Sequence, residues 1–369
     1  MAEANQLTRE QDRILSVDFF RGLTMFLLIG EFSELFTSLV DPAFNGTIIS
    51  TIGNQLHHAE WNGLHFWDLI QPFFMFIVGV AMPFSFNRRW AKGDSWNTTF
   101  YHALKRSLLL LFIGWALYCI GPGEITFHFA NVLAQLSVTY LIAFMLMRKS
   151  VNWQLIASFG LILMTDLLYR FWPVEGYNQP FTPDQNFGTW FDMAVQGSLN
   201  GDHWVAFNAF PTAAHTIWGV LAGMLLLNNW TPRKKILVLL GIGLAGVIIG
   251  FGMNPFIPII KRICTSSFII VSGGWALIGL GISYWFIDVL KFKKTLLFFA
   301  VVGMNPLFIY LFAHVGGNNL LHDIFIPFTK GLFGWSGELS VAIITSTSVW
   351  FSLWYICYFL YKRKIFIKL

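Results

Sequence analysis

Ten apolar runs, parted by short polar stretches, mark out the chain: 19–40, 66–87, 103–121, 131–147, 153–171, 210–228, 235–254, 264–288, 295–314 and 339–361. A membrane-crossing helix needs about 20 mostly apolar residues, and each run approaches that length. The pattern predicts an all-α integral membrane protein, a polytopic bundle of about ten transmembrane helices. No soluble domain fits between the runs, so 1–369 reads as a single transmembrane domain. Within it, 1–17 is expected to be a cytoplasmic segment. The stretch 172–208, rich in Asn, Gln, Asp, Gly and Pro, is expected to be one long external loop. The first run reads as an uncleaved span: a mostly polar segment, 1–13, opens the chain, the run is too long for a signal peptide, and no small-residue cleavage site follows. No internal repeat is evident, which weighs against an alternating-access transporter built from duplicated halves.

Charge fixes the expected orientation. If the N-terminus is inside, 20 of the 24 Lys and Arg fall on the inner side, leaving only Arg170, Lys261, Arg262 and Lys330 outside. The positive-inside rule therefore predicts both termini in the cytoplasm. The net charge of +5 is scattered in short clusters between apolar runs and gives no reason to expect a nucleic-acid partner. Composition agrees with lipid as solvent: 56% of residues are hydrophobic and 12% charged, where soluble domains average about 25% charged. Cys119, Cys264 and Cys357 lie in or beside apolar runs with no metal-binding spacing and read as small hydrophobes.

Ionisable groups in or near spans are costly and are functional candidates by default. Asp18 and Arg21, in SVDFFRG, share a helix face at a spacing of three. They read either as a structural ion pair at the inner end of the first span or as an anion contact facing the cytoplasm. The segment HHAEWNGLHFWDLIQPFFMFIVG gathers His57, His58, Glu60, His65 and Asp68 at the outer mouth of the second span. Histidine is the commonest general base, and Asp68 is placed to orient an imidazole. A plain interfacial loop competes with that reading, and a metal site is the weaker alternative, since no further ligands follow at a diagnostic spacing. Asn305-Pro306 falls in mid-span, where proline bends a helix; Asn305 either serves a ligand or satisfies the bend. His314 ends the same run on the outer side, a placement that lets it meet His58. Lys261 and Arg262 stand outside against the charge bias, which calls for an acidic partner such as Asp68 or an anionic ligand group.

Taken in order, RILSVDFFRGLTM, HHAEWNGLHFWDLIQPFFMFIVGVAM, KRSLLLLFIGW, GVLAGMLL, IPIIKRICTSSF, GMNPLFIYLFAH and YKRKIFIKL resemble the heparan-α-glucosaminide N-acetyltransferase family of transmembrane acyltransferases, in particular its short bacterial members without a lumenal domain. The resemblance runs from about residue 13 to the C-terminus. It implies acetyl-CoA as cosubstrate on the cytoplasmic side, an amino-sugar acceptor of glucosamine type on the other, a bacterial inner membrane, a homodimer, and no metal. The family's active-site histidine lies in an H-A-x-W-N-G-L context, which here is His58. Asp68, Asn305, His314 and Lys261 also fall on recurring motif positions. Three departures stand out: IGEFSELF where Val-Asn-Asn or Val-Asn-Tyr is frequent, Asn131-Val132-Leu133-Ala134-Gln135 where a Gly-Val-Leu-x-Arg motif carries an arginine, and Pro258-Ile259-Ile260-Lys261 for Pro-x-Asn-Lys. They bear on the identity of the acceptor, and the likeness to the short bacterial members implies free glucosamine, or a cell-wall or glycan fragment, in place of heparan sulfate.

On this resemblance His58 is the expected base or acyl carrier, oriented by Asp68, with Asn305 or Asn62 as oxyanion donor. Trp61, Asn62, Lys261 and His314 are candidate acceptor contacts. The CoA phosphates cannot enter hydrocarbon, so Arg21, Arg88, Arg89, Lys105 and Arg106 are candidate anchors at the inner surface, with Asp18 grouped through its pairing with Arg21. An amino-sugar permease, an O-acyltransferase of a surface glycan and a non-catalytic scaffold are the competing classes.

Overall fold

The computed structural model describes residues 14–367; most of the predicted segment 1–17 lies outside the described residues. In chain order the helices are α1 (Leu15–Glu31), α2 (Leu35–Ser38), α3 (Ile48–Gln55), α4 (Ile70–Ala91), α5 (Trp96–Ile120), α6 (Val132–Leu146), α7 (Val151–Phe171), α8 (Phe187–Gln196), α9 (Ala213–Leu227), α10 (Pro232–Met253), α11 (Ser266–Ser283), α12 (Leu296–Met304), α13 (Pro306–Phe312), α14 (Asn318–Phe333) and α15 (Glu338–Lys362). No strand occurs among the described residues.

Local chemistry sets many of the boundaries. Ser95, Asn131, Asn186 and Thr231 each accept a backbone N–H in the first turn of α5, α6, α8 and α10, removing one of the orphan donors that every helix start leaves. α1 has no such cap of its own. Its first two N–H groups, of Leu15 and Ser16, donate instead to the Asp288 carboxylate at 3.1 and 3.0 Å, which also sets a negative charge against the positive end of the helix dipole.

Six helical stretches are long and apolar enough to cross a membrane: Phe66–Ala91, α5, α7, α10, Ser266–Val289 and α15. Two bent pairs qualify when each is taken together, Gly201–Ala209 with α9 at 54° and α12 with Pro306–Ser336 at 71°. α10 turns Leu237, Ile242, Leu244, Ile248, Ile249 and Phe251 outward, an apolar face that suits lipid and not water. The chain is a multi-pass membrane protein.

Several predicted runs are interrupted, each for an identifiable reason. The run 19–40 becomes the 17-residue α1 and then breaks, with Glu34 in the left-handed region at φ 64°. The run 295–314 breaks at Asn305 (φ −127°, ψ 48°), because a residue before proline is pushed out of the helical region. The run 131–147 yields the 15-residue α6. The stretch 172–208, expected as one loop, contains α8, held down by Trp172, Phe187, Trp190, Phe191, Phe207 and Phe210 in mutual ring contact. Aromatic burial outweighs its polar composition.

α4 forms the centre, with Met75, Phe76, Ile77 and Val80 fully buried. It lies against α9 at backbone contact: a Cβ on Gly79 would run into the Thr216 carbonyl, and one on Gly219 into the Phe76 carbonyl. Small residues are how membrane helices gain close packing, since lipid tails are as apolar as any side chain. Gly219→Ala is therefore expected to push α4 and α9 apart and to lower stability by about 1–3 kcal/mol, measured by denaturant or thermal unfolding in detergent.

Candidate active site

The loop entering α4 is organised around one carboxylate. Asp68, 1% exposed, accepts from the backbone N–H of His65 at 2.9 Å and of Ala59 at 3.3 Å, and its Oδ1 lies 2.8 Å from His58 Nδ1. An ionised carboxylate only accepts, so Nδ1 carries the proton and donates. Nε2 of His58 then holds the lone pair. Gly63, at φ 128°, makes the turn that a side chain would oppose, and its N–H donates to Ile259 O at 2.9 Å. Trp61 Nε1 donates to Phe181 O at 2.8 Å. The H-A-x-W-N-G-L stretch is thus tied to two other loops.

One of those loops delivers Lys261. Thr265 Oγ1 and Ser267 Oγ both donate to Pro258 O, at 2.8 and 3.0 Å, and Ile260 N–H donates back to Thr265 Oγ1 at 3.1 Å. The fixed turn buries Lys261 with its Nζ 3.8 Å from Asp68 Oδ1 and 3.2 Å from His58 Nδ1. With Nδ1 protonated, the ammonium's partner is the carboxylate. Neighbouring Arg262 donates to Ala59 O at 3.3 Å. Trp204 closes the group from the long segment between α7 and α9, edge to face with His58 at 5.5 Å between centroids, its ring also 5.5 Å from Lys261 Nζ. Its position is held by Asp192 on α8, which accepts from Ala206 N–H at 3.0 Å and from the Asn200 amide at 2.5 Å. Asp202 and His203, just before it, both take positive φ (55° and 61°) without being glycine, backbone strain of the kind concentrated at functional sites.

Burial holds the His58 imidazole below its ordinary range, and the Lys261 ammonium adds to this; the Asp68 hydrogen bond works the other way without overcoming both. Burial likewise pushes Lys261 down to about 8, against the support of Asp68 and Glu31. The site at neutral pH is therefore a neutral imidazole beside an ion pair, an arrangement suited to accepting a proton at Nε2.

His58, Trp204 and Lys261 line one end of a cavity of about 1240 Å³, larger than the roughly 300–1,000 Å³ of most small-molecule pockets. The same cavity is lined by Arg21, Arg89, His102, Lys105 and Arg106. Asp68 precedes α4 and Arg89 sits in its last turn, so the two ends are separated by about 30 Å of helix. Glu31, Gln71, Tyr310 and His314 line the cavity as well. Glu31 accepts from Trp67 Nε1 at 2.8 Å. Gln71 donates to Gln135 in a close side-chain contact, and Gln135 stands where the related motif carries arginine. His314 Nδ1 donates to Tyr310 O at 3.0 Å, leaving Nε2 open, within a π-helical turn.

The expected site residues divide accordingly. His58, Asp68 and Lys261 come together, and His314, Arg21, Arg89, Lys105 and Arg106 share their cavity. Arg21 pairs with Asp18 at 2.7 Å. Asn305, expected as an oxyanion donor, is fully buried and absent from the cavity wall. Its amide is committed to the chain's own tail, donating to Ile365 O at 3.0 Å and accepting from Ile367 N–H at 2.8 Å. Arg88 and Asn62 are exposed, Trp61 is half-buried, and none of the three lines the cavity. Trp204 and Gln71 were not anticipated. Trp204 lies in a polar stretch where nothing in the local pattern separates it from Trp61, and its role comes from the burial of Asp192.

These features define a multi-pass helical membrane protein with a histidine–aspartate–lysine group at one end of an internal cavity and cations at the other. Residues 13–193 match a family model described as a domain of unknown function, DUF5009. The chain is 24% identical to human heparan-alpha-glucosaminide N-acetyltransferase over 97% of its own length, and 29% identical to the mouse protein over 36%. It spans 60% of the length of the human relative and 18% of the mouse one. The matches bear out the resemblance carried by the motifs: the chain is similar to heparan-alpha-glucosaminide N-acetyltransferase over nearly its whole length.

The electrostatics are directly measurable. His58, followed by NMR or by pH-dependent diethylpyrocarbonate reactivity, is expected to titrate below 6.5. Lys261→Met removes a nearby cation and is expected to move that midpoint upward; an unchanged or lowered midpoint would contradict the arrangement.

Proposed function

We propose that the protein is a membrane-embedded acetyltransferase, moving the acetyl group of cytoplasmic acetyl-CoA to the amine of a glucosamine-type sugar on the opposite side. In this reading the ten apolar runs are ten crossings of a bacterial inner membrane, with both termini cytoplasmic. The observation that carries it is the single cavity joining His58 to Arg89, Lys105 and Arg106. A CoA thioester has a polyanionic end that must stay near cations and water, and a thin arm that can thread between helices. The two ends of the cavity match that division. The names of the relatives support the reaction type.

The chemistry follows from the tautomer. The acceptor arrives as an ammonium and loses one proton to solvent. Its nitrogen then bonds to the thioester carbonyl carbon as His58 Nε2 takes a second proton, while Asp68 steadies the imidazolium that forms. Lys261, which lines the same cavity, is the cation available to the growing negative charge on the carbonyl oxygen, the task expected of Asn305 or Asn62 from sequence; a well-placed donor of this kind is worth about 2.7–4 kcal/mol. The tetrahedral state collapses by breaking the carbon–sulfur bond, and the departing thiolate takes the proton back from Nε2. The products are the N-acetyl sugar and CoA, with His58 neutral again. Nε2 is also free to carry the acetyl group itself in a two-step route, which an acetylated protein trapped without acceptor would reveal.

The test is acetyl transfer by purified protein, with acetyl-CoA and a panel of amino sugars, read by mass spectrometry. Product is expected for at least one amino sugar, and His58→Ala is expected to lower turnover by about 10²–10⁴-fold. Normal turnover in that variant would remove His58 from the mechanism. Vesicle uptake of unmodified sugar without acetyl-CoA, and no product with it, would support a permease instead. Because the base form of His58 exists above its lowered pKa, activity is expected to hold through pH 6.5 and to fall only as pH drops through that lower value. Lys261→Met should bring the acid limb in at higher pH, as seen in kcat/KM profiles.

A further inference from the structure

The most telling buried polar group outside the His58 cluster is Asn305. It occupies the break between α12 and α13, followed by Pro306: its N–H donates to Val302 O and its carbonyl accepts from Ile309 N–H, but its own backbone is non-helical at φ −127°. Its carboxamide pairs with two alternate residues of one extended segment, donating to Ile365 O and accepting from Ile367 N–H. A side-chain amide used in this way imitates the peptide group of a neighbouring strand. The tail reaches it by turning back at Lys364, which is left-handed at φ 58°.

The clamped segment holds exposed apolar side chains. Ile365, Phe366 and Ile367 are 45%, 41% and 42% exposed although their backbone is tied to a fully buried residue. Phe366 and Ile367, with Tyr361 at the end of α15, line the same cavity as Arg21 and Arg89. Lys362, Arg363 and Lys364, all exposed, are carried alongside. Free tails do not keep apolar groups in a fixed wall, since ordering each residue costs about 1–2 kcal/mol of backbone entropy. Ile365 N–H donates to Leu360 O at 2.9 Å where the chain leaves α15, and beyond it the two hydrogen bonds of the desolvated Asn305 amide tie the segment to the α12–α13 break.

We infer that the segment Ile365–Ile367 is a wall of the donor half of the cavity, and that Asn305 is the positioning residue that holds it there. The inference rests on the acetyl-CoA reading for the identity of the ligand; the clamp itself does not. Asn305 touches no reacting atom in this account. Its effect falls on donor affinity, with the chemistry at His58 and the acceptor end untouched.

Two readouts separate the parts. The first is maleimide labelling of Ile367→Cys in a Cys119→Ser background, with and without Asn305→Ala. The second is calorimetric binding of S-ethyl-coenzyme A, a thioether that neither transfers acetyl nor consumes maleimide. The analogue is expected to bind the native chain and to slow labelling at 367. Asn305→Ala is expected to speed labelling and to weaken the analogue about tenfold, with the acceptor KM unchanged. Ile367→Pro, which removes the N–H accepted by Asn305 and at the same time alters the wall at an exposed position, is expected to weaken the analogue in the same direction without lowering the melting temperature. Normal binding with labelling indifferent to the analogue would overturn the wall. Labelling unchanged by Asn305→Ala would overturn the clamp. If the native chain binds no analogue, the donor reading fails, while the labelling rates still decide the clamp.

Discussion

A carboxylate removed from water at the edge of a membrane is sustained only by the groups that face it, and Asp68 is faced on every side. Two backbone N–H groups, one imidazole and one ammonium converge on it. They come from three parts of the sequence: the loop before α4, which supplies His58 and Ala59, the turn at His65 that begins it, and the loop between α10 and α11, which supplies Lys261. The price of burying that charge is what brings these segments to one point. Removing the carboxylate would leave Lys261 as an uncompensated buried cation and His58 without its orienting partner, a more damaging state than the loss of a single hydrogen bond.

From that point the polar interior extends along α4. Ionisable groups in a bilayer face a bundle interior or a water-filled cavity, and here Glu31, His314, Arg21 and Arg106 line one shared space. The packing elsewhere makes room for it. α4 meets α9 at glycine on one flank, and on another it turns Gln71 and Val78 toward the cavity. A helix that is tightly packed on one side and hollow on the other holds the space open without help from the loops.

Much of this was legible in the sequence, for definite reasons. Apolar runs must become helices in lipid, because an unsatisfied backbone group there costs several kcal/mol, so every run found a helix. His58 and Asp68 were legible because they lie ten residues apart within one motif, and Lys261 because it ran against the charge bias expected from the basic clusters elsewhere. What stayed hidden depended on tertiary partners. Asn305 in mid-span reads equally as ligand contact or as structural amide until the tail is seen to reach it. Trp204 could not be chosen among sixteen tryptophans, since Asp192 and the left-handed pair before it decide where it points. The break of α1 at Glu34 has no proline, and the residue that turns left-handed is not the nearby Gly30.

The two ends of the cavity ride on a single helix. With Asp68 in the turn that leads into α4 and Arg89 in its last turn, their separation is set by the length of continuous helical backbone between them; Pro83, which has no N–H to donate, removes one hydrogen bond without dividing the helix. Such an element behaves as a measuring rod. On the proposed reading it selects the donor by reach as well as by charge: a small acetylating agent has no limb long enough to touch both marks, and an acyl carrier with a shorter arm would be stranded partway. Discrimination of that kind needs no specific contact along the shaft, which leaves the middle of the cavity free to change its lining residues while the spacing stays the same.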